Sequence, residues 1–232
     1  DADRGRHGKH QSGGRAGRPV DDAHGQRHPG LAAAHVAGFG RLVDLYRDYR
    51  CVILLDYSKS LLREARQRWG DVDASTGTHY TYVAADLYRL PLRDRVIDTA
   101  CMVRVMHHMA DVPGALSQIA RVIRPGGTFV LEFASKLHAK SLARWLLRRQ
   151  DWSPLDPEPL EFVELNFDFH PRWMRERLAR AGLIVERTLA VSTLRVPLLK
   201  RLIPALLLAA ADGMLQWTGQ CCACAPSIFV RT

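Results

Sequence analysis

Apolar positions along the chain gather into two kinds of run, and the two kinds alternate. Cys51 to Leu55 and Thr99 to Val103 are short, nearly continuous apolar stretches, the pattern of parallel strands buried on both faces. His79 to Ala84 alternates before it turns apolar and reads as a further strand, as does Thr128 to Phe133. Between them the spacing lengthens to three and four. Leu42, Val43, Leu45 and Tyr46 predict a helix over Arg41 to Tyr49, and Ser58 is placed to cap a helix running to Trp69. A third helix opens at Asp111-Val112-Pro113 and runs to Val122. A fourth starts at His170-Pro171, with proline in its first turn, and ends at Ala181-Gly182. This alternation of strand and helix predicts an α/β fold around a parallel sheet. Leu31 to Val36 is the candidate first strand, although alanine is a poor strand former. Leu183 to Val191 and Ser227 to Val230 supply the late strands.

The first chemical signal lies between Ala37 and Ser58. Gly38 and Gly40 let the backbone turn sharply and let a ligand come close. A helix and a buried strand follow, and Asp56 ends the strand, where a carboxylate accepts hydrogen bonds from the two hydroxyls of a ribose. The combination is the nucleotide-binding half of a doubly wound sheet. A dinucleotide fingerprint needs a third glycine three residues after the second; Val43 stands there, which disfavours NAD and FAD. A phosphate-cradling loop needs Gly-Lys-Ser/Thr, and Gly40 is followed by Arg41 and Leu42. A glycine turn without a grip on phosphate suits a phosphate-free ligand such as S-adenosylmethionine.

Three further motifs carry a family resemblance. Asp86 is followed after a short gap by Leu90-Pro91-Leu92. Met106-His107-His108 is an apolar-His-His step, and Arg124-Pro125-Gly126-Gly127 ends a helix and feeds an apolar strand. With the glycine turn and Asp56, these make the chain from Val36 to Arg231 resemble the class I S-adenosylmethionine-dependent methyltransferases, in particular their type 11 domain. The resemblance implies a Rossmann-like, seven-stranded, mostly parallel sheet with helices on both faces and an antiparallel last strand. It implies S-adenosylmethionine as cofactor. Gly38 and Gly40 would admit its methionine part, Asp56 with Tyr57 would hold the ribose, and Leu61 would pack against adenine. Asp86 with Leu87 would meet the adenine amine, and Val103 and Arg104 would face the methionine moiety. His108, and less so His107, is the candidate catalytic base, though in-line methyl transfer can proceed by positioning alone. Ala34 and Val36 stand where the family has an acid and its first glycine. The alternative reading is therefore a domain that keeps the fold and binds the cofactor poorly.

The acceptor implied is a small molecule or a lipid-like metabolite. An Asn/Asp-Pro-Pro-aromatic motif would signal methylation of base amino groups, and Val103-Arg104-Val105-Met106 stands in its place. A Tyr-x-x-x-Lys pair for nicotinamide chemistry is also missing. Residues 134–170 read as an insertion capping the substrate, with a basic amphipathic helix over Lys136 to Arg149 whose apolar side holds Leu137, Leu142, Trp145 and Leu146. Trp152, Phe162, Asn166 and Phe167 are its candidate contacts.

Composition changes this picture little. A net charge of +9 over 232 residues permits an anionic partner, but the basic residues are scattered, and nucleic acid is not the expectation. Residues 1–30 are rich in Gly, Arg, His and Asp, cannot bury enough surface to offset their ordering entropy, and read as disordered or non-native; 31–232 form the domain. Five cysteines, two of them in expected strands (Cys51, Cys101), point to a reduced, cytoplasmic protein. Cys221 and Cys224 have the spacing of half a zinc site, without a second ligand pair, so no metal is expected. Val196 to Trp217 is apolar, but Lys200, Arg201, Pro204 and Asp212 interrupt it. No transmembrane helix is expected there, and at most a surface that touches lipid. The oligomeric state is open.

Overall fold

Parallel pairing dominates the main sheet. The computed structural model describes residues 42–46, 48–191 and 225–232, the backbone of strand residues 32–36, and positions 207, 210, 213, 214 and 216. Strands β1 (Ala32–Val36), β2 (Cys51–Asp56), β3 (His79–Ala84), β4 (Ile97–Met102) and β5 (Ile123–Ala134) run parallel to their neighbours. A hairpin of β6 (Leu160–Val163) and β7 (Asn166–Asp168) stands apart. β8 (Arg187–Val191) and β9 (Ser227–Arg231) complete the main sheet, with β9 antiparallel to both β5 and β8. The order is β3-β2-β1-β4-β5-β9-β8. The α/β expectation holds, and the sheet is mixed.

The helices are α1 (Lys59–Trp69), α2 (Val112–Val122), α3 (Ala139–Leu146) and α4 (Pro171–Arg180). Strand alternation splits the core in two. Leu55, Ala100, Met102, Phe129, Leu131 and Phe133 face one way, against Leu116 and Ile119 of α2 and Met174 and Leu178 of α4. Val52, Leu54 and Cys101 face the other way, with Leu62 of α1, Val43 and Tyr46. Ser58 caps α1, its Oγ accepting from the Leu61 N–H at 3.4 Å, and His170 caps α4 ahead of Pro171, as the sequence predicts. Cys51 and Cys101 are free thiols in strands.

Several elements depart from expectation. The helix expected over Arg41 to Tyr49 is a single 3-10 turn, Val43–Tyr46, with i to i+3 bonds from Leu45 to Leu42 and from Tyr49 to Tyr46. Val43, Asp44 and Tyr46 are weak helix formers, and the buried Val43 and Tyr46 are satisfied by one turn. β4 begins at Ile97 and ends at Met102, which leaves Val103 past the strand. The basic helix is shorter than 136–149, because His138 starts it through a capping box with Ser141. β8 begins at Arg187, not Leu183. Gly38, Gly40, residues 1–30, Cys221, Cys222, Cys224 and nearly all of 196–217 lie outside the described residues. Among the described residues no helix is long and apolar enough to cross a membrane.

The Arg-Pro-Gly-Gly step differs most. α2 passes into β5 without a gap, and Arg124 to Gly127 bulge out of the ladder, which resumes from Ile97 opposite Ile123 to Thr99 opposite Thr128. Arg124 reaches the buried Asp98 carboxylate in an ion pair. Gly126 has φ +76°, and a Cβ on Gly127 would lie 2.8 Å from the Asp98 carbonyl oxygen and 2.9 Å from that of Arg124. Backbone cannot yield as a side chain can. Gly127→Ala is therefore expected to destabilise the fold by about 1–3 kcal/mol, read as a lower urea midpoint with unchanged slope.

Candidate active site

A parallel sheet gathers the carboxyl ends of its strands on one edge, and a ligand crevice opens where the strand order reverses. Here the reversal lies between β1 and β4, which pair in parallel through residues 33–36 of β1 and 99–102 of β4. β2 ends at Asp56 beside β1, and the loop after β3 carries Asp86. The Ala85 N–H donates to the Asp56 carbonyl at 3.1 Å, so the two acid-bearing ends are tied together. The half-buried Asp56 holds its own turn, with Oδ1 accepting from the Ser58 N–H at 2.7 Å. Tyr57 is 85% exposed and Leu61 half-buried. Asp86 is exposed and caps a 3-10 turn, Leu87–Arg89, by accepting from the Tyr88 N–H at 2.9 Å.

Leu87 turns inward. Its side chain joins the core with Leu90, so it anchors the loop rather than presenting an apolar side chain to the crevice. The same loop is clasped by Arg121 of α2, whose guanidinium donates to the carbonyls of Leu90 (2.9 Å) and Leu92 (2.8 Å) and to Asp94 (2.7 Å). The planar fork suits that job, and Lys could not do it.

Past β4, Val103 is half-buried against the second core group, and Arg104 is exposed with φ +60°, a left-handed conformation costly for a residue with a Cβ. Its backbone N–H donates to Glu132 Oε2 at 2.7 Å. Glu132 sits in β5, only 6% exposed, and a carboxylate there fixes the turn at the crevice edge. Glu132 is only faintly marked in the sequence. The signal was a lone acid within the apolar run Thr128 to Phe133.

His107 and His108 belong to a 3-10 turn, Met106–His108, anchored by the fully buried Met106. Their rings lie 3.9 Å apart. His108 is exposed, and its Nδ1 lies 3.2 Å from the Leu165 carbonyl. A carbonyl only accepts, so the proton sits on Nδ1, and Nε2 of the neutral ring is left as the acceptor a base requires. His107 is half-buried; burial, then the neighbouring His108, holds its pKa below the ordinary value.

The insertion packs onto this edge. Phe169 N–H donates to the Ala134 carbonyl (2.9 Å), and Lys136 N–H to that of Phe169 (3.1 Å). The Lys136 ammonium donates to the Glu158 carbonyl at 2.6 Å; burial lowers its pKa and raises that of Asp168. Among the proposed contacts, Phe162 is exposed, Trp152 and Asn166 are half-buried, and Phe167 is drawn into the core stack with Phe169. A groove of about 560 Å³ between α2 and α4, lined by Pro113, Ser117, Trp173 and Arg177, involves none of these site residues. Among the described residues no cluster of His, Cys, Asp and Glu could hold a metal ion.

Two outcomes follow from this geometry. Glu132→Leu leaves the Arg104 N–H without its acceptor and is expected to cost about 1–3 kcal/mol in urea unfolding, whereas Glu132→Gln, which keeps an acceptor oxygen, costs less. His107, His138 and His170 all have pKa values lowered, chiefly by burial. As pH falls through about 6.5 the unfolded chain takes up protons that the folded chain refuses, so stability is complete above that value and declines below it. The urea midpoint is expected to be lower at about pH 5.5 than at about pH 7.5; an equal midpoint contradicts this assignment.

Comparison with known proteins agrees with the fold. Residues 36–131 match the family model described as a methyltransferase domain. A probable S-adenosylmethionine-dependent methyltransferase of Mycolicibacterium smegmatis is 31% identical over 167 residues, covering 69% of this chain and 54% of that protein. The malonyl-[acyl-carrier protein] O-methyltransferase of Serratia marcescens is 32% identical over 120 residues, 51% of this chain and 43% of that one. The chain spans about half or less of the length of these curated relatives. The crystal structure of an S-adenosylmethionine-dependent methyltransferase from Mesorhizobium loti superposes with a TM-score of 0.58 at 20% identity, over 88% of this chain and 91% of that one, a likeness of fold. Residues 36–131 thus belong to the class I S-adenosylmethionine-dependent methyltransferases, as a type 11 methyltransferase domain.

Proposed function

We propose that this chain transfers a methyl group from S-adenosylmethionine to a small-molecule or lipid-like acceptor, on the seven-stranded Rossmann-like sheet of that family. One observation carries the reading: Asp56 and Asp86 stand at neighbouring strand ends, joined by the Ala85–Asp56 backbone bond. Two acceptors so spaced suit the two ends of an adenosine. In this reading Asp56, with Tyr57 beside it, receives the ribose hydroxyls. Asp86 receives the adenine amine, Leu61 packs on the base, and Leu87 holds the loop in place. Gly38 and Gly40 admit the methionine part, and Val103 and Arg104 border it. The cofactor supplies an electrophilic methyl on a sulfonium. The protein's part is to align the acceptor behind that carbon, and in this reading His108 Nε2 takes the proton that the acceptor releases.

The residues present fit the cofactor. Both carboxylates stand at strand ends, Asp86 on an exposed turn, and the sequence after Gly40 lacks the Gly-Lys-Ser/Thr that grips phosphate. A small acceptor is supported by the relative that methylates a carrier-bound malonyl group, and Val103-Arg104-Val105-Met106, in place of a base-methylation motif, argues against methylation of base amino groups. The free Cys51 and Cys101 support a reducing, cytoplasmic setting. A second reading, an impaired domain, is favoured by Ala34 and Val36, which fill the acid and first-glycine positions within β1.

Calorimetric titration with S-adenosylhomocysteine separates the two. Saturable binding by the wild-type chain is expected, weakened at least tenfold in Asp56→Ala, since two hydrogen bonds to a charged group are worth about 1.5–3 kcal/mol each. Asp86→Ala is expected to weaken it less. A folded chain that binds neither this product nor S-adenosylmethionine supports the impaired domain.

A further inference from the structure

α3 is attached to the protein the wrong way round for an ordinary amphipathic helix. Its buried residue is Ser141, whose hydroxyl donates to the Lys136 carbonyl at 2.6 Å and whose N–H donates to His138 Nδ1 at 3.2 Å. Leu142 is half-buried. The apolar residues that would normally drive such a helix inward face solvent instead: Leu146 is 79% exposed, Leu147 62% and Trp145 39%. Exposed, contiguous leucines beside a tryptophan are a cost in water unless something covers them.

Charge says what covers them. From Lys136 to Gln150 the chain has no acidic residue. Lys136 turns inward to the Glu158 carbonyl, which leaves Lys140, Arg144, Arg148 and Arg149 exposed around the leucines. A second copy of this chain would set the same cations against each other. Nucleic acid would answer the charge and leave the leucines wet. An anionic bilayer answers both: acyl chains receive the leucines, the headgroup layer suits an indole, and negative lipid attracts the cations.

We propose that the end of α3 and the turn after it, Arg144 to Arg149, dock the protein peripherally on anionic lipid membranes. The surface is distinct from the strand-end crevice, so docking is separable from cofactor binding. α3 follows β5 in the chain, and delivery of an acceptor from the membrane would rest on the methyl transfer proposed above.

Co-sedimentation of the full chain with phosphatidylcholine vesicles, with and without phosphatidylglycerol, tests this. Binding to the anionic vesicles is expected, weakened by added salt. It should fall at least tenfold in Leu146→Asp/Leu147→Asp and in Arg148→Glu/Arg149→Glu, while circular dichroism and S-adenosylhomocysteine titration stay as in wild type. A blue shift of tryptophan emission on adding vesicles, absent in Trp145→Phe, is the second expected sign. Failure to bind anionic vesicles overturns the proposal, as does binding that survives both double variants. It is overturned equally if the leucines prove to cover a dimer, seen as a concentration-dependent mass in light scattering that Leu146→Asp/Leu147→Asp abolishes.

Discussion

The parallel ladder from β3 to β5 is the constraint on which the remaining features depend. Parallel strands end on the same side, so β2, β3, β4 and β5 deliver Asp56, Asp86, Arg104 and Lys136 to one edge. Each strand needs a crossover that returns to the opposite edge, which places α1 and α2 against the faces and buries the strands on both sides. The polar groups at the edge are fixed by short local bonds: Asp56 to the Ser58 N–H, Asp86 to the Tyr88 N–H, and Glu132 to the Arg104 N–H. The first two hold loops within their own strand ends. The third joins two strands, and so couples the turn after β4 to the position of β5.

The loops at this edge are held from below by core residues. Leu87 and Leu90 dip into the interior, and Arg121 clasps the carbonyls of Leu90 and Leu92. Met106 does the same for the His107–His108 turn. A side chain that contributes nothing to a ligand directly can thus set where the ligand-facing atoms lie, and the rigidity of the edge comes from packing rather than from sheet pairing.

Much of this was legible in the sequence where a local rule and a core position agreed. β2, β3, α1 with its Ser58 cap, and α4 with its proline start each combine a periodic apolar pattern with a boundary residue. Asp56 and Asp86 were legible because they follow apolar runs. Reading failed where tertiary contacts overrode local pattern. The four apolar positions after Gly40 have helical spacing, yet they make one 3-10 turn, because burying Val43 and Tyr46 needs no more. Arg-Pro-Gly-Gly looks like a turn and serves as a bulge inside a strand, since the Asp98 backbone lies against Gly127. Glu132 hides in a strand pattern, and its partner is a backbone N–H that no sequence pattern marks. For α3, spacing gives the amphipathic face but not its direction, which Ser141 decides.

The position of β9 has a consequence for the order in which the molecule is made. Among the described strands, β8 joins the main sheet through β9, which lies between it and β5. Residues 187–191 are synthesised before residues 227–231, but the strand they pair with is the later segment. Until β9 pairs with β5, the β5 edge that β9 covers stands open and β8 lacks its strand partner. Completion of the sheet is therefore a late, non-local step during biosynthesis, and the nascent domain passes through a stage with an unpaired inner strand, the stage at which a chaperone or a wrong strand could bind.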